Sequence, residues 1–373
     1  MRNLLVTTHT PIVSTGRAVR TYGIARVLAE HGGLDLVYQR FEGDQPDEKF
    51  SAIPDVKMHE VIARRTPGRL MIYLRARAAG VPASLARGIS VELIRAVEAL
   101  ADEAGRGLLV TDGPIATAAL ARLAKRHDVT YNAHNFESGF RHEPGMTERG
   151  SPRRLRAFER SLLETASESW MVSQADMAAA KELCPAARLR LMPNVVDVAA
   201  ITPVQPRIDE QRAMFVANFT YQPNKSALRF MVDEVMPRVW SELPRATLAL
   251  VGGGLGDDLL GDPRIETRGF VSDLASAYGD ASCVVVPLLL GGGTPLKMVE
   301  ALAYGLPVIA TPRAVAGLEV RAGEHCLVAD GPEDFASVLV RVLRDGDPQL
   351  ARRGRELAAE RYSIEALSRL LEA

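Results

Sequence analysis

Cysteine, aromatic side chains, net charge and long apolar runs are all scarce in this sequence, and each scarcity excludes something. The three cysteines, Cys184, Cys283 and Cys326, are far apart, odd in number and without paired-ligand spacing. A disulfide frame or a cysteine-based zinc site does not fit that pattern, and the three read as reduced core residues. A formal net charge of −1 leaves no global basic field to attract nucleic acid, and no nucleic-acid partner is expected. The N-terminal MRNLLVTTHTP holds only a few apolar residues before a Gly-containing loop, too short for a signal segment or a spanning helix. It reads as a first buried strand, and the protein as cytoplasmic. There is no low-complexity tract and no short-period repeat.

What is present is a soluble α/β composition, 47% hydrophobic with only 5% aromatic residues, in a chain of 373 residues. That length exceeds what one hydrophobic core usually serves, so two domains are expected. Short apolar runs recur, each followed by a longer amphipathic segment. In the first half the runs are Leu4–Thr7, Leu34–Tyr38, Lys57–Val61, Leu108–Thr111, Val129–Ala133 and Ser169–Val172; in the second, AMFVANF, ATLALVGGG, IETRGFV, SCVVVP and PVIAT repeat the pattern. Such alternation predicts parallel sheet with crossover helices, hence two doubly wound Rossmann-like halves. In LMPNVVDVAAITPVQPRIDEQ, Pro193, Pro203 and Pro206 interrupt every periodicity, which places a linker near residue 200. The predicted division is 1–199, 200–355 and a C-terminal helical segment, 356–373, that packs back on the first domain.

The most informative stretch is CVVVPLLLGGGTPLKMVEALAYGLPVIAT, Cys283 to Thr311. A buried strand feeds a loop with Gly291, Gly292 and Gly293. Thr294 is a suitable N-cap, Pro295 fits the first helical position, and Leu296 to Tyr304 are strong helix formers. Glycines allow close backbone approach, and a helix N-terminus attracts anions. Lys297 lies in the first turn, where the helix dipole disfavours a cation unless an anion sits in front of it. Glu300, three residues on, shares a face with Lys297, so phosphate and ribose of one ligand suit the pair. The plainer alternative is a loop whose glycines relieve crowding, with Lys297 and Glu300 forming a solvated ion pair.

This segment resembles the donor-nucleotide signature of the family 4 retaining glycosyltransferases, in the variant GGGTRLKxxEAxAxGxPVVAT. Gly291, Gly292, Gly293, Thr294, Leu296, Lys297, Glu300, Ala301, Gly305 and Pro307 match it. The resemblance implies a GT-B fold, two Rossmann-like domains facing a central cleft, with the donor held by Gly293, Thr294, Leu296 and Lys297 and its ribose by Glu300. Two positions depart from it. Pro295 replaces the commoner Arg, and Gly292 stands where many relatives carry the first Glu of an E-x7-E pair. FVANFTYQPNKSAL, Phe215–Leu228, resembles the segment opening the second domain, with Ala217 for the usual Gly and Lys225 placed to neutralise the diphosphate. VGGG at Val251–Gly254 and RGFVSDL at Arg268–Leu274 follow in order, implying backbone contacts to the base near Phe270 and Val271. LMPNVVD and SQAD resemble the preceding interdomain segments. A nicotinamide enzyme is disfavoured, because Asp257 occupies the third Gly position of G-x-G-x-x-G.

In the first half, AHNFES puts His134 just past the predicted strand Val129–Ala133, at the sheet edge where open α/β folds bind ligands. The resemblance implies that His134 approaches the donor sugar, and it is the expected catalytic residue. It also implies that Gly16 faces the donor phosphate. Arg17, Arg20, Asn135 and Glu137 are candidate acceptor contacts. Two basic stretches stand out. Arg64, Arg65, Arg69, Arg75, Arg77 and Arg87 surround LMIYL, and Arg149, Arg153, Arg154, Arg156 and Arg160 form a second cluster. Either is a solvated helix face or a site of peripheral contact with an anionic membrane.

The expected activity is transfer of a sugar from a nucleoside diphosphate sugar, a substrate and not a cofactor, to a small-molecule, glycan or lipid-linked acceptor. The resemblance implies retention without a covalent nucleophile. No cofactor and no metal are expected, since helix-terminal amides, Lys225 and Lys297 suit the departing diphosphate. A nucleotide-sugar 2-epimerase on the same fold and a non-catalytic nucleotide-sugar-binding protein are the alternatives.

Overall fold

A computed structural model describes residues 1–12, 16–41, 43–62, 70–71, 73–74, 90–103, 106–136, 152–255, 261–271, 273–291 and 293–372. These divide into two compact units, one running to Asn194 and resuming at Leu367, the other Val195–Ala366. The helix Pro348–Arg361 therefore counts with the second unit, and of the C-terminal helix Ile364–Glu372 the part from Leu367 belongs with the first.

The first unit holds seven parallel strands: β1 (Arg2–Thr7), β2 (Leu34–Arg40), β3 (Val56–Ile62), β4 (Arg106–Asp112), β5 (Val129–Asn132), β6 (Glu168–Met171) and β7 (Leu189–Leu191). Their order is β3-β2-β1-β4-β5-β6-β7. The six apolar runs seen in the sequence are the first six strands; β7 was missed because Leu189–Leu191 is short and only half-buried. Leu4, Val6, Val37, Leu109 and Val129 pack with Leu93 and Val97 of the helix Val91–Ala101 on one face. The helix Gln174–Leu183 starts on SQAD, where Ser173 Oγ accepts from Asp176 N and donates to the Asp176 carboxylate.

The second unit holds β8 (Arg212–Val216), β9 (Thr247–Val251), β10 (Ile265–Gly269), β11 (Cys283–Val286), β12 (Val308–Ala310) and β13 (Leu327–Val328), all parallel, in the order β10-β9-β8-β11-β12-β13. The period-two alternation of strand side chains divides its core. Phe215, Leu248, Leu250 and Val285 pack toward Phe335 and Leu339 of the helix Gly331–Asp345. Met214, Ala249, Val284 and Val286 pack toward Met298 and Leu302 of the helix Leu296–Tyr304. That second helix is fixed at its end: Gly305 takes the left-handed C-cap with φ +77°, and the Arg355 guanidinium donates to the Ala303 carbonyl. The three cysteines are free and buried, and burial pushes the Cys283 thiol up to about 12. All three are unpaired core residues, as the sequence suggested.

After β8, the helix Gln222–Arg229 continues through a π-helical turn, Phe230–Val235, into Met236–Glu242. Pro237 accounts for the widening, since its ring excludes the carbonyl one turn back and it has no N–H to offer.

Gly252, just past β9, has φ +134°, and a Cβ there would lie 1.8 Å from the Ala217 carbonyl oxygen. Backbone strain and a clash with backbone act together, so Gly252→Ala is expected to destabilise the second unit by at least about 2 kcal/mol. A denaturation midpoint equal to that of the parent protein would show that the two strand ends are not in this close contact.

Candidate functional site

In open parallel sheets, ligands bind beyond the strand carboxyl ends, where the strand order reverses and loops diverge. In the second unit that point lies between β8 and β11, and a pocket of about 190 Å³ opens there. The segment after β8 contributes Tyr221, Pro223 and Asn224. The loop after β11 contributes Leu288, Leu290, Gly291, Gly293, Pro295 and Lys297, and Arg313 enters from beyond β12.

The glycines matter as the sequence suggested. Gly291 and Gly293 take φ +105° and +74°, which side chains disfavour, and a Cβ at Gly317 would sit 2.6 Å from the Gly293 carbonyl oxygen. The helix start differs from expectation. Pro295, extended with ψ 109°, is itself the N-cap, and no side chain caps the helix, which begins at Leu296. Thr294, expected as the cap, is buried one residue too early to serve. A proline at the cap removes one amide donor from the helix entrance.

Lys297 is the electrostatic centre of the pocket. Its Nζ donates to Asn224 Oδ1 at 2.8 Å and lies 5.0 Å from the Phe215 ring centroid. Both partners are uncharged, and burial pushes the ammonium down to about 7. The solvated Lys297–Glu300 pair is not the arrangement found. Glu300 instead accepts from Tyr278 Oη at 3.2 Å, beside the stacked rings of Tyr278 and Tyr304, and burial raises its carboxyl. Asn224 is fixed in turn by donating to the Asn218 carbonyl at 2.7 Å. Lys225 is exposed and does not line the pocket. Phe270 is 74% exposed, while Val271 packs against the core.

In the first unit the strand order reverses between β1 and β4, and the loops after β1, β4 and β5 meet there. His134, after β5, donates from Nε2 to Asp112 Oδ1 at 2.7 Å. Arg17 Nε donates to His134 Nδ1 at 3.1 Å, which fixes the tautomer with the proton on Nε2. Burial lowers the His134 pKa, so the ring is neutral. Burial opposes ionisation of Asp112 as well, yet His134, with a further bond from Thr21, holds its carboxyl below the usual range; Asn132 also donates to it. His9, after β1, is pushed down to about 4 by burial and accepts or donates one bond with Thr7 Oγ at 2.7 Å.

The other first-unit candidates separate. Gly16 begins the helix Gly16–Glu30 and is exposed, and Asn135 is half-buried beside His134. Arg20 does not match an acceptor contact. It is 2% exposed, and its guanidinium donates to the Met192 carbonyl, Asn194 Oδ1 and Asn132 Oδ1, binding the interior together. Glu137, Gly292, Asp257 and Arg149 lie outside the described residues, as do all six arginines around LMIYL. Arg153, Arg154, Arg156 and Arg160 are exposed on the helix Pro152–Thr165. Sequence reasoning missed Asp112, Asn224 and Arg313. Asp112 carried the same signal as His134, a polar residue ending a buried strand; Arg313 carried none.

Among the described residues, no group of three or more His, Cys, Asp or Glu is placed to hold a metal ion. The Asp345-Gly346-Asp347 triplet only ends one helix and caps the next, through Asp347 Oδ1 and Leu350 N. No helix among the described residues is long and apolar enough to cross a membrane.

Residues 210–345 match the family described as Glycosyl transferases group 1, a span that includes every residue of the second-unit pocket. The fold is similar to that of sucrose-phosphate synthase from Thermosynechococcus elongatus, with TM-score 0.76 and 18% identity over 100% of this chain and 98% of the other. HepE of Anabaena, solved with UDP and glucose, is similar with TM-score 0.72 and 14% identity, at coverages of 100% and 98%. TarM of S. aureus is similar with TM-score 0.75 and 12% identity, again at 100% and 98%. No curated protein matches the chain in sequence. The fold is GT-B, and the span of the second unit that matches the group 1 glycosyltransferases contains the loop whose signature resembled them.

The low pKa of Lys297 has a direct consequence for anion binding. Below pH about 7 the empty pocket already holds an ammonium; above it, binding an anion must draw in a proton. Sulfate keeps its charge throughout this range, so its affinity is expected to fall by up to about tenfold per pH unit between pH 7 and 9, one proton being linked. Lys297→Met should remove that slope. Titrations at constant ionic strength with equal slopes in both proteins would rule out the linkage.

Proposed function

We propose that this protein transfers a sugar from a nucleoside diphosphate sugar to an acceptor hydroxyl, with retention of anomeric configuration and without a metal ion. The observation that carries the reading is Lys297, a half-buried ammonium whose partners among the described residues are uncharged, at the strand switch point of the second unit. Such a group is poorly stabilised until an anion arrives. A diphosphate meets that need, and UDP, present in the solved HepE and TarM complexes, is the first nucleotide to test.

In the reaction the bond between the anomeric carbon and the phosphate oxygen breaks, and the acceptor oxygen takes its place. The acceptor proton passes to the departing phosphate. Negative charge develops on the leaving diphosphate, where the Lys297 ammonium and the helix entrance stabilise it. Glu300 receives the ribose hydroxyls. His134, neutral and oriented by Asp112, acts on the sugar. The arginines on the helix Pro152–Thr165 are a surface for peripheral contact with anionic lipid.

The decisive measurement separates transfer from epimerisation and from idle binding. Free nucleoside diphosphate should accumulate in proportion to acceptor, with slow hydrolysis in its absence. Interconversion of donor sugars without acceptor would instead identify an epimerase, and tight binding without turnover a binding protein.

His134→Gln keeps an N–H for Asp112 but removes the imidazole. Turnover is expected to fall on the order of 10²-fold, the effect of losing one preorganised polar group, with nucleoside diphosphate affinity unchanged. Near-normal turnover would assign His134 a purely structural part, and lost nucleotide affinity would move it to the anchoring of the donor.

A further inference from the structure

The second-unit pocket contains two cationic residues, Lys297 and Arg313, and no aspartate or glutamate among the residues that line it. They reach it from different elements. Lys297 sits in the first turn of the helix Leu296–Tyr304, and Arg313 on the short helix Pro312–Val315 after β12. We propose that Arg313 is a second phosphate-binding residue of this pocket, and that with Lys297 it selects two linked phosphate groups over one.

The placement of Arg313 is built into the fold. Thr311 follows β12 and caps the short helix by accepting from Ala314 N, while its hydroxyl donates to the Leu288 carbonyl. Leu288 itself lines the pocket, so one threonine ties the turn bearing Arg313 to the loop after β11. Across the pocket, Pro295 contributes neither charge nor an amide donor. Lys297 Nζ is held toward Asn224 and Phe215, a single fixed point of charge. A lone ammonium serves one phosphate group as a point charge, whereas a guanidinium supplies a fork of donors matched to phosphate oxygens. A diphosphate, with two groups to satisfy, engages both cations; a monophosphate satisfies itself at one. The assignment deepens the nucleoside diphosphate reading and rests on it for the identity of the natural ligand, but its chemistry concerns phosphate alone.

Inorganic pyrophosphate and inorganic phosphate are therefore the probes, titrated calorimetrically into the parent protein and into Arg313→Gln, Arg313→Lys and Lys297→Met, with folding checked by circular dichroism. The parent should prefer pyrophosphate. Arg313→Gln should weaken pyrophosphate by about 10- to 100-fold while weakening phosphate only a few-fold, with Arg313→Lys intermediate and Lys297→Met weakening both. Unchanged pyrophosphate affinity in Arg313→Gln, or equal losses for the two anions, would overturn the proposal. Nucleoside diphosphates run in parallel keep the two readings apart. Arg313-dependent pyrophosphate binding without any nucleoside diphosphate binding would sustain Arg313 and refute the nucleotide-sugar reading. Nucleoside diphosphate binding that ignores Arg313 would do the reverse.

Discussion

The half-buried ammonium of Lys297 is the constraint around which the second-unit pocket is arranged. Withdrawing a charge from water is costly unless it is paired, and among the described residues an amide oxygen and an aromatic face are what Lys297 meets. The fold holds Asn224 for that task through the Asn218 carbonyl, and holds the lysine through a helix capped by Gly305 and gripped at Ala303 by Arg355. The glycine loop closes in only because Gly317 leaves room for the Gly293 carbonyl. Stability is thus spent on keeping a cation where a ligand will want it.

The first unit solves a different electrostatic problem. Asp112 is buried and ionised because three groups donate to it, from His134, Asn132 and Thr21. That fixes the His134 ring, and Arg17 fixes its tautomer from the other side. Arg20, one helical turn on, faces inward and ties β5 to the segment after β7. Two arginines three residues apart lie on one side of the helix Gly16–Glu30 yet have unrelated tasks: Arg17, in the first turn, is exposed, and Arg20, one turn further along, is buried.

Much of this was legible in the sequence where local chemistry dictates structure. Buried parallel strands read as apolar runs, and positive-φ turns read as glycines, so the two sheets and the loop after β11 could be located. The position of Lys297 in a first helical turn was an anomaly visible without coordinates. What stayed hidden depends on tertiary packing. Nothing local distinguishes Arg17 from Arg20, and nothing links Arg313 to a loop more than twenty residues earlier. Thr294 looked like a cap because its type is favoured, but Pro295 took the position by its own backbone preference. Strand β7 escaped because three half-buried residues carry too little periodicity.

The π-helical turn at Phe230–Val235 separates the half of its helix that carries Asn224 from the half that carries Met236 and Val239 into the core. Each residue of a helix advances the chain by about 100° around the axis. The wide turn therefore sets the angular phase between the two halves. Losing one residue there would restore regular winding and rotate Asn224, together with Ala227 and Leu228, relative to Met236 and Val239. The number of residues in this segment therefore bears on the position of Asn224 in the pocket, even though no residue of the turn lines it.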